Sequence, residues 1–346
     1  LVFIIISEVV PIEKRPIGMA LMGCVFAFAS VLGPLIGGAF TSHVSWRWCF
    51  YINLPIGAVS LAFLAWVFNP PKTQGSVNDK VKQIDYVGNF LLAAGTVLIL
   101  LGLTFGGNEF PWKSAGVICC IILGFFITVG FVVWNFRFLK SQIIHTDVIM
   151  VPQILAAAIG MFFMFGGFIA CAVYIALYFQ IIWSASAWHS GIDMLPYIIP
   201  VVVSSITSGI LIAKTRFIKP FAIVGCCLYM IGAGLLTLLE VDSPTKNKIG
   251  LLIPMGVGCG MIMQSLIISS QVSAPKTPGG TIMSTTFITL GRGFGGALGT
   301  ILADVVYQST FRNQFRANLK HITDEAVLAE LNKVLVESFL TASTAL

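Results

Sequence analysis

The sequence predicts an all-α, polytopic membrane protein: nine complete spans preceded by an N-terminal stub, in a truncated chain. Three observations predict it. Of the 346 residues, 57% are apolar and 10% charged, where soluble domains carry about 25% charged residues. Nine apolar stretches fall at 17–41, 49–68, 85–107, 114–136, 154–180, 190–212, 219–240, 248–271 and 281–306. Each can cross a ~30 Å hydrocarbon core at ~1.5 Å rise per residue. The breaks hold turn-formers and charges, as in Pro11 to Arg15, Asn69-Pro70-Pro71-Lys72, Asp242-Ser243-Pro244 and Pro275-Lys276-Thr277-Pro278.

The alternation of charge tests that count. One set of loops holds eleven basic residues, Lys14, Arg15, Lys72, Lys80, Lys82, Arg137, Lys140, Lys214, Arg216, Lys219 and Lys276; the alternate set holds four, Arg47, Lys113, Lys246 and Lys248. The positive-inside rule puts the first set in the cytoplasm. A miscounted span would have scrambled the asymmetry. The net charge of +6 is dealt out among loops and forms no patch, which argues against nucleic acid and makes the lipid bilayer the main partner.

Residues 1–10 open on Leu1-Val2-Phe3-Ile4-Ile5-Ile6 with no initiator Met and no basic region ahead. They read as the end of an earlier span and not as a signal peptide. The first complete span contains Ala29-Ser30-Val31-Leu32-Gly33-Pro34-Leu35-Ile36-Gly37-Gly38. Gly33 and Gly37 share one helix face, where a neighbouring backbone can approach closely. Pro34 removes one helical hydrogen bond and bends the segment. The next span is entered through Trp46-Arg47-Trp48-Cys49-Phe50-Tyr51-Ile52-Asn53-Leu54-Pro55-Ile56-Gly57.

These two stretches resemble motifs of the major facilitator superfamily. The first resembles the proline–glycine motif in the fifth helix of its antiporters, with Ala29 and Ala20 where the motif asks for small residues ahead of Gly33. The second, through Trp46, Arg47, Trp48, Asn53 and Pro55, resembles the W-R-W-x-F-x-I-N-x-P signature of the fourteen-helix drug:proton antiporter branch, the fungal type of multidrug and toxin efflux pump. The resemblance implies a major facilitator fold in which the stub ends the fourth helix, 17–41 is the fifth, 49–68 the sixth and 281–306 the thirteenth. It also implies that the Gly33–Gly38 region seals the cytoplasmic side, and that the proton-coupling residues lie in helices before Leu1.

The spans 85–107 and 114–136 form a hairpin closed by Gly106-Gly107 and Pro111-Trp112, which the resemblance places between two helical halves. The expected domains are 1–68, the end of an N-terminal bundle; 69–136, a cytoplasmic linker and the connecting hairpin; 137–306, a five-span C-terminal bundle; and 307–346, an extracellular amphipathic segment. In the last, Phe311 to Lys320 is polar, and a helix from Thr323 gathers Val327, Leu328, Leu331, Val334 and Leu335 on one face. Residues from about Phe339 begin a last helix. Between the second and third C-terminal spans, Gly209, Lys214, Arg216 and Lys219 resemble a weakened copy of the superfamily's G-x-L-a-[DE]-[KR] cytoplasmic loop, with Ala213 at the acidic position.

Polar groups within spans are costly, so each is a candidate for function. Arg292 lies near mid-bilayer in 281–306. It either lines a cavity, meeting an anionic substrate group or a carboxylate, or pairs with helix carbonyls, or sits nearer the cytoplasmic interface. Gln264 and Gln180 can bind a substrate carbonyl or tie two helices together. The resemblance makes their spans and 281–306 cavity-lining. Asn53 reads as structural. Tyr174 and Tyr178, with Phe179 and Tyr197, form either a stacking wall or an ordinary interfacial belt. Asp193, Asp304 and Glu8 lie near span ends, where a proton carrier or a helix cap would fit.

Two glycine strings, Gly256-Val257-Gly258-Cys259-Gly260 and Gly291-Arg292-Gly293-Phe294-Gly295-Gly296, superficially suggest nucleotide loops. Such loops need a preceding strand and a solvated helix start, and irregular backbone facing lipid is prohibitive. Gly256 and Gly260, and Gly291, Gly295 and Gly299, instead mark close-packing faces. The eight cysteines lie in or beside apolar runs, and the four histidines lie in scattered loops without ligand spacing. No disulfide framework, metal, cofactor or enzyme chemistry is expected. The resemblance implies proton-coupled export of small organic compounds (drugs, toxins or secondary metabolites) by alternating access, expected of a monomer in the plasma membrane or in a vacuolar or other organellar membrane. A same-fold importer or a siderophore or metabolite exchanger is the alternative, and a non-transporting receptor or scaffold the reading from another class.

Overall fold

A computed structural model of the chain describes residues 15–67, 85–107, 110–138, 144–239, 245–277 and 279–319. The stub at 1–10 with Glu8, the linker from Asn69, the Asp242-Ser243-Pro244 turn, the amphipathic helix from Thr323 and the start of a last helix at Phe339 lie outside the described residues. Within them the chain is all-α. The helices are α1 Arg15–His43, α2 Trp48–Tyr51, α3 Asn53–Val67, α4 Tyr86–Phe105, α5 Ala115–Arg137, α6 Thr146–Ile149, α7 Pro152–Ile182, α8 Ala187–Asp193, α9 Leu195–Thr215, α10 Lys219–Leu235, α11 Thr245–Val272 and α12 Gly280–Leu319. Seven continuous or paired helical stretches are long and apolar enough to cross a membrane: Trp48–Trp66, Tyr86–Phe105, Ala115–Arg137, Pro152–Ile182, Ala187–Thr215, Lys219–Leu238 and Gly250–Val272. Helices α1 and α12, of 29 and 40 residues, are the helices at the other two expected spans.

The boundaries shift where apolarity and helix formation part company. The expected span 281–306 is the front of a helix that continues to Leu319. Residues 307–319 are polar but contain neither Gly nor Pro, so nothing in the backbone stops the helix where the apolar composition ends. The expected span 190–212 is two helices, with Ser186 capping α8 and Met194 between α8 and α9.

The chain divides into two compact units, Leu1–Gln83 with Ile144–Gly296, and Ile84–Ile143 with Ala297–Leu346. In the first, α11 is the central helix, packed on α9, α10 and α7. Alternate residues of its glycine string meet different neighbours. A Cβ at Gly256 or Gly260 would overlap the carbonyl oxygens of Tyr197 or Val201 on α9, and one at Gly258 would overlap the Tyr229 amide on α10. Between them Cys259 is buried, its Sγ 3.6 Å from Met164 Sδ of α7. Small residues do here what bulky ones do in water-soluble cores, because dispersion and close backbone approach drive helix association in lipid.

In the second unit α4 and α5 form an antiparallel hairpin. The buried positions recur every seven residues: Gly88, Gly95 and Gly102 on α4, and Val117, Gly124 and Phe131 on α5. A seven-residue period keeps one seam facing its partner along the whole pair. Gly107 takes φ +80° at the turn, and the Trp112 ring covers both Gly106 and Gly107. At the far end Asp85 caps α4, one carboxylate oxygen accepting from Gly88 N–H at 2.8 Å and from Trp134 Nε1 at 3.2 Å.

Two non-glycine residues among those described take positive φ, Ser184 in the loop before α8 and Arg216. Arg216 ends α9 in the left-handed region, φ 60°, its N–H donating to Ile212 O at 2.8 Å. Glycine is the usual occupant of such a cap. Its exposed side chain makes the site safe to change, and Arg216→Gly is expected to stabilise the folded protein by about 1 kcal/mol, read as a rise in thermal unfolding temperature in detergent.

Candidate functional site

The Ala29–Gly38 stretch occupies the middle and later part of α1, and its packing face is offset from the one its glycine spacing suggests. Gly33 and Gly37 have nothing within 4 Å of a Cβ position among the described residues. Gly38 makes the close approach: a Cβ there would lie 2.5 Å from the Ala187 carbonyl oxygen and 3.0 Å from Trp188 Cα of α8. The partner helix answers with its own glycine. A Cβ at Gly191 would lie 2.6 Å from the Pro34 carbonyl oxygen. The rows therefore run antiparallel, 34 against 191 and 38 against 187, and one hydrogen bond joins them, Trp188 N–H to Ser42 Oγ at 3.0 Å. One residue is ~100° on a helix, which is why a face anchored by 34, 38 and 42 leaves 33 and 37 outside it.

Residues 34, 38 and 42 lie in the last part of α1, next to the loop that carries Arg47, and α8 restarts from the loop at 183–186. That end belongs to the basic-poor set of loops, the side opposite the cytoplasm by the charge count. Ser186 fixes the start of α8 by accepting from His189 N–H at 3.3 Å.

The Trp46–Gly57 stretch builds a corner. Arg47 lies over the Trp46 ring at 5.0 Å, Trp46 meets Phe50 edge-on, and Trp48 contacts Phe40 and Tyr51. Asn53 donates to Cys49 O at 3.2 Å, one turn back, and Pro55 sits in the first turn of α3, where its missing N–H costs nothing. These residues shape the entry to the span; they contact each other and the end of α1, through Phe40 and Gly37.

The polar candidates in the C-terminal spans fall in three places. Gln264 ties α11 to α9: its Oε1 accepts from Ser205 Oγ at 3.3 Å, and its side chain lies against Gly209, where a Cβ would meet Nε2 at 3.1 Å. Gly209 is thus small because the amide needs the room. Lys214, Arg216 and Lys219 are exposed around the α9–α10 turn. At the other end of α7, Tyr178 Oη donates to Leu239 O at 3.2 Å and packs edge-on against Trp183, which stacks on Phe179. Tyr174 lies one turn earlier, half-buried, and Gln180 is exposed with Ser190 Oγ at 3.5 Å. Tyr197 is fully buried and its Oη has no hydrogen-bond partner among the described residues.

Arg292 stands apart from all of these. Helix α12 docks on α7 through Gly291, whose Cβ position is 3.0 Å from Ala158 O, and Gly295, whose Cβ would overlap Phe162 O. Gly299 follows one turn on. This places the Arg292 guanidinium 4.8 Å from the centre of the Phe165 ring. Phe165 leads to Phe168 at 5.5 Å and Phe168 to Tyr197 at 5.7 Å. Thirteen residues of α7 separate Phe165 from Tyr178, or ~20 Å along the axis, so the cavity candidates do not form one cluster. Phe165 was not legible as a site residue in sequence, being one of 27 phenylalanines. Among the described residues no three His, Cys, Asp or Glu side chains converge.

The family model described as Major Facilitator Superfamily matches residues 1–300. Among curated proteins, the chain is 32% identical to vacuolar basic amino acid transporter 3 of Saccharomyces cerevisiae, over 92% of this chain and 79% of that protein. It is 36% identical to efflux pump roqT of Penicillium rubens, over 94% of this chain and 59% of the pump. It is 32% identical to azole resistance protein 1 of Saccharomyces cerevisiae, over 92% and 61% respectively. The chain therefore spans about three fifths of the length of two of these relatives.

Proposed function

This chain belongs to the Major Facilitator Superfamily, and on that premise we propose that its protein is a secondary transporter exporting small organic compounds in exchange for protons. It is a multi-pass membrane protein of a transporter family, and its residues are read as moving a solute and not as catalysing a reaction. The observation that carries the reading is the seam between α1 and α8. Alternating access needs a contact that closes tightly and parts cheaply. Glycine against backbone gives van der Waals closeness without interlocked side chains, and a single serine hydrogen bond joins the rows. On this reading α1 to α3 belong to a bundle of 1–68, the spans within 137–306 form the opposing bundle, 69–136 connects them and 307–346 lies outside. The seam is the gate on the non-cytoplasmic face.

Export is favoured by the relatives named as efflux and azole-resistance proteins, with the plasma membrane as host and a monomer as the working unit. A second reading, import of basic amino acids into a vacuole, is favoured by the similarity to the vacuolar transporter. Counterflow of the full-length protein in proteoliposomes separates them. An imposed pH gradient is expected to drive accumulation of a planar aromatic probe and to leave lysine and arginine untouched. Flux indifferent to the gradient overturns proton exchange, and gradient-driven lysine uptake establishes the second reading.

A further inference from the structure

We propose that the transported compounds carry a negative group, a carboxylate or phenolate, on a planar aromatic body, and that Arg292 with Phe165 is the subsite that takes them; this rests on the transporter reading above. A charged side chain deep in a span faces a protein interior or a watered cavity and marks a functional path. Arg292 is half-buried, twelve residues into α12. Its five N–H donors find no acceptor and no ion pair among the described residues; its one recorded partner is the Phe165 ring at 4.8 Å. The described carboxylates are Asp85, Asp147, Asp193 and Asp304, and Asp304 is three turns further along the same helix, with Gln308 on both its oxygens.

The guanidinium is nonetheless held in place. Gly295 and Gly291 press α12 against α7, and Gly296, one turn from Arg292, lies against the Phe165 ring, 3.2 Å from a Cβ position to Cδ1. The Phe165 ring lies against one side of the guanidinium, and the forked N–H edge has no acceptor among the described residues. That edge matches a carboxylate in bidentate geometry, while the neighbouring Phe165 and Phe168 rings suit a flat apolar body. A cationic substrate would meet an uncompensated like charge in a poorly screened interior.

The test uses full-length protein in detergent and two pairs of probes, benzoate with benzamide and 2-naphthoate with 2-naphthamide, with binding measured by calorimetry. The wild type is expected to bind each acid at least tenfold more tightly than its amide. Arg292→Gln is expected to lower acid affinity by roughly 10- to 100-fold and to leave the amides within about threefold, with Arg292→Lys keeping part of the preference. Equal binding of acid and amide by the wild type, or no binding of either, overturns the proposal. So does Arg292→Gln weakening both equally while lowering the unfolding temperature, the behaviour of an arginine paired with a carboxylate of the protein itself. Acid-selective binding without any counterflow would leave this subsite standing and remove the transporter reading.

Discussion

Gly38→Leu is expected to reduce transport by at least 100-fold while membrane insertion and yield stay normal. The wild-type contact leaves no room for even a methyl group, since a Cβ would sit 2.5 Å from the Ala187 carbonyl oxygen, which belongs to backbone and cannot swing away. A leucine must push α1 and α8 apart. That separation also strips Ser42 Oγ of the Trp188 N–H, so the gate is held open and the cycle stops in one state. Gly191→Leu, which meets the Pro34 carbonyl from the other side, is expected to give the same phenotype. The readouts are counterflow in proteoliposomes and labelling of a cysteine placed at Ser42 by an impermeant thiol reagent, which should rise in both variants. Normal export by either variant would remove the seam from the mechanism.

Gly260→Leu is expected to cost the fold and not only the cycle. Its Cβ position overlaps Val201 O and Ser204 Oγ of α9, and α11 is held from its other faces by α10 and α7, so it has no direction in which to retreat. Overpacking in a tight interior costs about 1–3 kcal/mol, occasionally more, and here a backbone carbonyl is the obstacle; roughly 3 kcal/mol or above is the expected loss. Thermal unfolding in detergent should show it directly, along with reduced monodisperse yield. Gly234→Leu is the control, because nothing among the described residues lies within 4 Å of a Cβ there. Equal stability of the two variants would show that the α9–α11 contact is softer than its geometry.

Much of this fold was legible in the sequence because lipid imposes simple rules. Helix is the form that satisfies the backbone of a single lipid-exposed segment, so apolar length located the spans, and loop charges ordered them. The hairpin could be read from Gly106-Gly107 and Pro111-Trp112, and the two stretches at 29–38 and 46–57 carried the family. Helix ends were less legible: α12 runs on through polar residues to Leu319, and the break at Met194 is marked only by Pro196 in the first turn of α9.

The candidate site was legible only as a set of residue types. Sequence alone determined that Arg292 and Gln264 are polar side chains set in apolar helices, and that glycines recur at packing intervals, because composition and period are local properties. Tertiary structure decided what each one meets: Gln264 spans to Ser205 and fills the space over Gly209, Arg292 rests on Phe165, and among the described residues Gly38, and neither Gly33 nor Gly37, seats a neighbour. The physical reason is rotation about the helix axis. A four-residue spacing fixes which residues share a face, but only the neighbouring helix fixes which face is buried.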